Sequence, residues 1–536
     1  MRILNSAEMR EADRRTEQEF HVPLETLMEN AGTAVARFCL REYAEAKSLV
    51  VLAGKGNNGG DGFVVARVLA AAGRQVQVLL LGRTAELKGE AVGALERLRG
   101  EAPQVAVREL TDAGEAKDAV MSAEVLIDAV VGTGFKPPLR GLAAELREVT
   151  EKASAPMVAV DLPSGWDADS TAQHGEGAYR ANAVVTFTAP KIAHVFGHLT
   201  RGTFGPVVVA DIGSPADAVR SENGMYWTGM AKTVAETPRD VNANKGKYGH
   251  VLVVGGSYGT SGAPAMASLA ALRTGAGLVT AAVPRSIVDA VARIAPELMM
   301  APLREGTEGA VSMENMAAEG LEAVIREKRI SVVAVGPGLS TRGEASALAR
   351  AFVGTTQVPM VVDADALNAF ADRADLLGGE GRVLVLTPHP GEMARLLGIA
   401  VKDVEADRVG LARRFATEHK LTLVLKGWRT LIAHPNGRVA VNTTGNPAMA
   451  KGGSGDILTG IIAAMLGQYA NGGAPEDVAR AVEAAVFVHG LAGDFAARAM
   501  DEHTVLATDT LEHLSDAFRY RVRDEGGMMW ICGVHG

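Results

Sequence analysis

The sequence predicts an α/β protein of two domains, each with a parallel sheet held between helical layers. Three observations predict it. Short valine-rich runs alternate with alanine-rich stretches, the pattern of strands buried on both faces and separated by helices. Glycine-dense loops follow several of these runs directly. The pattern also breaks at about 214–240, where SPADAVRSENG and AETPRDVNANKG turn polar, and then restarts.

In chain order, residues 24–38 place Leu24, Leu27, Met28, Ala31, Val35 and Phe38 three or four apart, one apolar face of a helix. Strands are expected at SLVVLAG (48–54), QVQVLLLG (75–82), EVLIDAVVG (124–132), PMVAVDLPSG (156–165), AVVTFTAP (183–190) and GPVVVADIG (205–213). After the polar interval, GHVLVVGGSYGTSGAPAMASLAALRTGAGLVTAAVP (249–284) reads as strand, glycine loop, helix, strand. Further strands follow at SVVAVGPG, PMVVDADA, RVLVLTPHPG and TLVLKG. Asn436-Gly437 between apolar runs marks a hairpin. The expected boundaries are a first domain over 1–215, a linker over 216–235, a second domain over 236–518 and a tail over 519–536 that matches no element.

Composition narrows the function classes. The chain has 536 residues, 47% hydrophobic and 22% charged, enough apolar material for more than one core. A net charge of -9 without a lysine- or arginine-rich block argues against nucleic acid or an anionic membrane as partner. Two cysteines, Cys39 and Cys532, stand in different halves of the chain and in no paired spacing, which disfavours a disulfide framework or a zinc site. The N-terminus is charged and has no apolar core, so a cytoplasmic location is expected. Small molecules are the favoured partners.

The loop AGKGNNGGDG (53–62) lies between a strand and a helix, so its backbone N–H groups and the helix N-terminus can face an anion. It lacks the Lys-Ser/Thr ending that a nucleotide-hydrolysing P-loop needs. Asn57 and Asn58 instead offer amide oxygens that suit a hard cation, and Asp61 suits a ribose hydroxyl or a loop amide. Asp128 ends the strand EVLIDA, and Asp161 ends MVAVD. In an open parallel sheet such groups share the crevice beyond the strands' carboxyl ends.

In the second half, KGGSGDILTGIIAAMLG (451–467) puts a glycine turn at the start of an apolar helix with Asp456 in its first turn. First-turn amides can hold an anion while the carboxylate activates a hydroxyl beside it. A first-turn Asp is also an ordinary helix-dipole partner. His389 lies between two prolines at a strand end, and the acids of DADALN (363–368) are candidates for Mg²⁺, directly or through water.

The motifs GxGNNGGDG, the Asp-x-x-x-Gly-Thr-Gly loop at 128–134 and VAVDLPSGWDAD together resemble the NAD(P)H-hydrate epimerase domain family over roughly residues 1–215. That resemblance implies a Rossmann-like three-layer sandwich. It also implies a potassium ion held by Asn58, Asp128 and Ser164, and a dinucleotide bound by Asn57, Asn58, Gly59, Gly60, Asp61, Gly132, Thr133, Gly134, Phe135, Lys136, Pro137 and Pro138. Asp161 would be the acid/base group. GGSYGTSGAP, GPGLS, DADALN, TPHPGEMARLL, LKGWRT and NTTGNPAMAKGGSGD resemble the ADP-dependent NAD(P)H-hydrate dehydratases of the ribokinase-like superfamily, across about 236–515. There the resemblance implies hydrate contacts from Ala263, Gly338, His389 and Asp456, and adenine-nucleotide contacts from Lys426, Gly427, Trp428, Arg429, Thr430 and Gly455. Asp456 would be the base, with ADP as co-substrate and Mg²⁺ beside it.

The expected function is repair of hydrated NADH and NADPH by epimerisation and ADP-dependent dehydration. Two rivals remain at this level: a small-molecule kinase on the ribokinase-like fold, and a first domain that binds or scaffolds without catalysis. Folds of this kind commonly form symmetric oligomers, and a homo-oligomer is expected.

Overall fold

The computed structural model describes residues 1–306, 308–470 and 472–535. The chain divides into two units: Met1–Asn223 with the described residues from Arg521 onward, and Gly224–Tyr520. In chain order, the second unit is an insertion in the first.

The first unit contains β1 (Ser48–Ala53), β2 (Gln75–Leu81), β3 (Ala106–Leu110), β4 (Val125–Ala129), β5 (Met157–Val160), β6 (Ala183–Phe187) and β7 (Val207–Ala210). The sheet runs 3-2-1-4-5-6-7, all parallel, and ends on a last strand, Met529–Cys532, antiparallel to β7. β1, β4, β5 and β6 are almost wholly buried, as their unbroken apolar runs require. β3 is an edge strand with four of its five residues half-exposed or exposed, which is why AVREL carries no apolar run to read. The order reverses between β1 and β4. That places a crevice between the loops that follow these two strands.

The helix Leu24–Glu42 includes the predicted apolar face, and Leu27, Met28, Ala31, Val35 and Phe38 are all buried. A second helix, Ser6–Gln18, precedes it, started by a capping box in which the Asn5 side chain accepts from the Glu8 N–H at 2.8 Å and Glu8 returns the bond at 2.9 Å. Its many charges hid the narrow buried stripe of Met9, Ala12, Arg15 and Thr16.

The second unit has a ten-stranded sheet: β8 (Met225–Trp227), β9 (His250–Val254), β10 (Leu278–Pro284), β11 (Met299–Leu303), β12 (Val332–Val335), β13 (Met360–Val362), β14 (Leu384–Leu386), β15 (Thr422–Leu425), β16 (Leu431–Ala433) and β17 (Val439–Val441). The order is 11-10-9-12-13-14-15-16-17-8. β11 to β15 are parallel. β15, β16 and β17 then pair antiparallel, and the Asn436-Gly437 turn joins the last two with Gly437 at φ 82°. Here the reversal falls between β9 and β12, so the loops after those strands flank a second crevice. The helices Gly262–Thr274, Ser454–Tyr469 and Pro475–Ala499 cover the sheet, and the second of these is buried continuously from Ile457 to Gly467.

Two stretches differ from expectation. Much of the interval read as a linker, 216–235, is ordered: β8 pairs with β17, and Trp227 is fully buried with its indole N–H donating to Thr443 Oγ1 at 2.8 Å. The stretch read as a tail supplies the strand Met529–Cys532, and Trp530 is buried near Phe38 with its indole N–H on Asp524 Oδ2 at 2.7 Å. Gly536 lies outside the described residues. Both strands are short, and their partners lie hundreds of residues away, so no local pattern announces them. Among the described residues no helix is long and apolar enough to cross a membrane.

Candidate active sites

A cavity of about 640 Å³ occupies the first crevice, lined by Asn57, Asn58, Asp61, Gly132, Thr133, Gly134, Phe135 and Asp161. The loop after β1 can sit there only because two glycines bring backbone against backbone. A Cβ on Gly59 would lie 1.9 Å from the Gly54 carbonyl oxygen, and one on Gly54 would lie 1.9 Å from that of Val130. Gly60 packs on Met28 and does not line the cavity. Lys136, Pro137 and Pro138 also lie outside the lining, and Lys136 is engaged at the surface with Asp167 and Asp169, each at 2.8 Å.

Asp161 is the centre of the site. Its backbone is left-handed, φ 65°, a conformation that costs a non-glycine residue on the order of 1–3 kcal/mol unless its surroundings enforce it. Here His194 enforces it. Its Nδ1 accepts the Lys191 N–H at 2.9 Å, so Nε2 carries the proton and donates to the Asp161 carbonyl at 2.6 Å. Burial pushes His194 down to about 4, so the ring is neutral at pH 7.

The Asp161 carboxylate accepts from Lys191 Nζ at 2.9 Å, from Thr186 Oγ1 at 2.8 Å, and from the N–H of Thr133 at 2.9 Å and its hydroxyl. Burial alone would raise it. Lys191, His194 and these hydrogen bonds outweigh burial and hold it below the usual carboxylate range, ionised at neutral pH. The neighbouring acids behave oppositely. Burial first, then Asp161 and Asp13, push Asp61 well above its ordinary value, and burial raises Asp13 to about 6.

Beside this group, Asp128 is fully buried and bound to Ser164, whose Oγ lies 2.6 Å from Oδ1 and whose N–H lies 2.7 Å from Oδ2. Burial lifts Asp128 to about 6. A Cβ on Gly132 would lie 2.9 Å from Asn58 Oδ1 and 3.1 Å from Asp161 Oδ2, so this glycine keeps the amide and the carboxylate open to one space.

Lys191, Thr186, His194 and Asp13 were not found by sequence reasoning. A lysine directly after the buried run AVVTFTAP was the available signal, because a buried cation requires a buried anion.

In the second unit, Ala263 from the first turn of the helix Gly262–Thr274 and Gly338 from the loop after β12 flank the second crevice. A Cβ built on Gly338 would lie 3.1 Å from that of Ala263, and Thr260 Oγ1 donates to the Gly338 carbonyl at 2.7 Å. Lys426 Nζ lies 2.9 Å from Asp363 Oδ1 and 3.7 Å from Glu392 Oε2, and Thr459 donates to Asp363 Oδ2 at 2.8 Å. Gly455 passes so close that a Cβ there would stand 3.3 Å from Lys426 Nζ. His389 caps the helix Pro390–Leu397, accepting the Gly391 N–H at 3.0 Å, with Nε2 3.6 Å from Glu392.

Asp456 occupies the first turn of Ser454–Tyr469, after Gly453 at φ 100°. Burial, then Asp363, push its carboxyl up to about 7 against the pull of Lys426, with Asp365 and Glu392 adding to the rise. A cavity of about 400 Å³ adjoins, lined by Lys426, Gly427, Trp428, Arg429, Thr430 and Gly455. Arg429 lies over the Trp428 ring at 4.3 Å and donates to the Thr443 carbonyl at 2.6 Å. His489 also lines this cavity and was not found by sequence reasoning.

Of the acids of DADALN, Asp363 is buried and paired with Lys426 and Thr459, and Asp365 accepts the Ser340 N–H at 2.8 Å. Among the described residues no group of three or more His, Cys, Asp or Glu is placed to hold a metal.

Two doubly wound units, each with an acid at the crevice where its strand order reverses, define an enzyme with two separate active sites. The NAD(P)H-hydrate dehydratase family matches residues 251–517, and the family of YjeF-related protein N-termini matches residues 24–193. A bifunctional NAD(P)H-hydrate repair enzyme of Moorella thermoacetica is 41% identical over 530 residues, 97% of each chain. That of Escherichia coli is 33% identical over 527 residues, covering 97% of this chain and 94% of its own. A Bacillus subtilis ADP/ATP-dependent NAD(P)H-hydrate dehydratase, co-crystallised with ATP/Mg²⁺, is 31% identical with a TM-score of 0.47, covering 56% of this chain and 99% of that one. The chain belongs to the family of bifunctional NAD(P)H-hydrate repair enzymes.

Proposed function

We propose that the first unit interconverts the R and S forms of hydrated NADH and NADPH, and that the second dehydrates the S form at the expense of ADP, giving AMP and phosphate. The observation that carries the reading is the convergence, in each unit, of the loops beyond its strand-order reversal on one acid: Asp161, buried, in the first and Asp456, half-buried, in the second.

An ionised Asp161 enters the reaction as a base. The hydrated ring carbon carries a hydroxyl and the ring nitrogen, so removing the hydroxyl proton lets the ring C–N bond open to an aldehyde. Re-closure of the nitrogen on the other face, with the proton returned, gives the opposite epimer. A positioned proton acceptor is worth roughly 10²–10⁴-fold. Lys191 keeps Asp161 charged, and Thr133 and Thr186 fix its orientation.

The oxygens of Asn58, Asp128 and Ser164 are hard donors of the kind that suit a potassium ion, and Asn58 Oδ1 faces the space that Gly132 leaves open, 2.9 Å from where a Cβ there would stand. Such an ion would supply positive charge for substrate oxygens and the loop carbonyls.

In the second unit Asp456 accepts the ring-hydroxyl proton as that oxygen bonds to the β-phosphorus of ADP and the bond to AMP breaks. Phosphate then departs with the C–O bonding pair as the ring nitrogen donates its lone pair. The neighbouring ring carbon gives up a proton, restoring the dihydropyridine. Phosphate is a far better leaving group than hydroxide. The helix N-terminus at Ser454–Gly455 and Lys426 stabilise the charge on the transferring group. Mg²⁺ suits the nucleotide phosphates and water better than this protein's acids, since Asp363 is already committed to Lys426.

The test supplies both NADH-hydrate epimers, ADP and Mg²⁺ to the full chain and follows reduced-nicotinamide absorbance beside phosphate release. Complete recovery with one phosphate per cofactor is expected. Recovery that stops when one epimer is consumed removes the first activity, and a stable phosphorylated product in place of free phosphate replaces the second with a kinase.

A further inference from the structure

A cavity of about 940 Å³ lies at the opposite edge of the second unit's sheet from the candidate site. It opens at the amino ends of β12 to β15, where Ser331, Pro359, Val383 and Leu421 lead into those strands. The loops that carry Asp456's neighbours follow the carboxyl ends. The repair chemistry therefore does not account for this cavity.

Its wall is mostly apolar. Val383 and Leu421 come from the residues just before β14 and β15, Leu466 from the end of the helix Ser454–Tyr469, and Val478 and Ala479 from the start of Pro475–Ala499. A polar end is built around the β16–β17 hairpin. There His434 lies 3.1 Å from Glu483 and 3.3 Å from Thr422 Oγ1, all three buried, which satisfies that carboxylate without its second neighbour, Arg438.

Arg438 has its guanidinium held but not hydrogen-bonded. Its guanidinium carbon lies 4.2 Å over the Tyr226 ring, and its nearest carboxylate oxygens, on Glu476 and Glu483, are 3.9 and 4.0 Å away, beyond hydrogen-bonding distance. Its Nε is buried without a hydrogen-bond partner among the described residues. Lys420 adds a second cation at the rim. A buried guanidinium N–H with no acceptor is costly in a native protein unless something supplies one.

We infer that this cavity binds an organic anion, a single acidic head group on an apolar body, with the head group on Arg438 and the body against Leu421, Leu466 and Val478. Volume and chemistry agree: the space is drug-sized, largely apolar, and has its few polar groups at one end. A planar carboxylate or a sulfonate can take two parallel bonds from a guanidinium held by ring stacking.

The probe is 8-anilinonaphthalene-1-sulfonate, titrated into the full chain with and without saturating ADP, in competition with decanoate. Saturable fluorescence that decanoate displaces and ADP leaves unchanged is expected. Ala479→Trp puts a ring where the apolar body would lie and should abolish that component, while Arg438→Gln should weaken it by roughly tenfold or more, the loss of the charge-assisted pair to the head group. Dehydration should proceed at the wild-type rate in both variants. Binding that does not saturate, that ADP displaces, or that persists in Ala479→Trp overturns the inference. If Ala479→Trp fails to fold, unchanged affinity in Arg438→Gln overturns it alone.

Discussion

Each unit presents an aspartate at its proposed site, and the surroundings tune the two in opposite directions. Asp161 has a lysine of its own: Lys191 at 2.9 Å, with two threonines, outweighs burial and keeps it ionised. Asp456 has no such partner to itself. The nearby cation, Lys426, is taken by Asp363 at 2.9 Å, and burial with the surrounding acids lifts Asp456 to about 7. The contrast teaches that an acid's strength here is decided by which neighbour claims the cation, because desolvation raises both and the more deeply buried Asp161 is nonetheless the stronger acid. It also fits the two reactions. A base standing alone with its substrate must be ready at once, whereas Asp456 would sit beside polyphosphate, where a permanent charge would repel the co-substrate.

The comparison can be broken most sharply at Asp456. Asp456→Asn should lower ADP-dependent dehydration by roughly 10²–10⁴-fold and leave epimerisation untouched, measured as phosphate release beside epimer exchange in one preparation. Retained dehydration removes Asp456 from its role. Lys191→Met comes next. With the cation gone, burial is opposed only by the threonine hydrogen bonds and Asp161 becomes a weaker acid, so epimerisation should drop by about 10²-fold at pH 7 and recover as pH rises. A flat pH profile in that variant contradicts the pairing.

The pH dependence of the wild type sharpens the contrast further. A base works when deprotonated, so dehydration kcat/KM should climb through a midpoint of about 7, while epimerisation should stay level from pH 8 to 7 and fall only as Asp128 protonates at about 6, Asp161 itself staying ionised throughout. A dehydration midpoint near the ordinary carboxylate value would show that Asp363 and burial do not raise Asp456 in solution. A smaller effect is expected from the cation: replacing potassium by a large organic cation should slow epimerisation and spare dehydration, and Asp128→Asn should abolish the difference between the two media. Trp530→Ala should leave both chemistries in place and cost the first unit about 3–5 kcal/mol in denaturant unfolding, since the ring is buried near Phe38.

How much of this was readable from the chain varied with range. The helix beginning at Leu24, six of the first unit's strands and the Asn436-Gly437 hairpin followed from local pattern, because unbroken apolar runs and turn residues act within a few positions. The loop acids Asp128, Asp161 and Asp456 were legible because each ends a strand or opens a helix. The capping-box helix Ser6–Gln18 was hidden by its charges, β3 by its exposure, and β8 and the final strand by their brevity and distant partners.

By itself, the sequence determined two α/β units, their glycine loops and the acids those loops carry, for these depend on residue type and short-range spacing. Only the tertiary structure decided that Lys191 belongs to Asp161 and Lys426 to Asp363, that His194 props a left-handed Asp161, and that residues 529–532 close the first sheet. Each of those depends on which groups come within about 3 Å after the strands have aligned. Charge pairing and desolvation fall off over such short distances that only the packed chain can assign them.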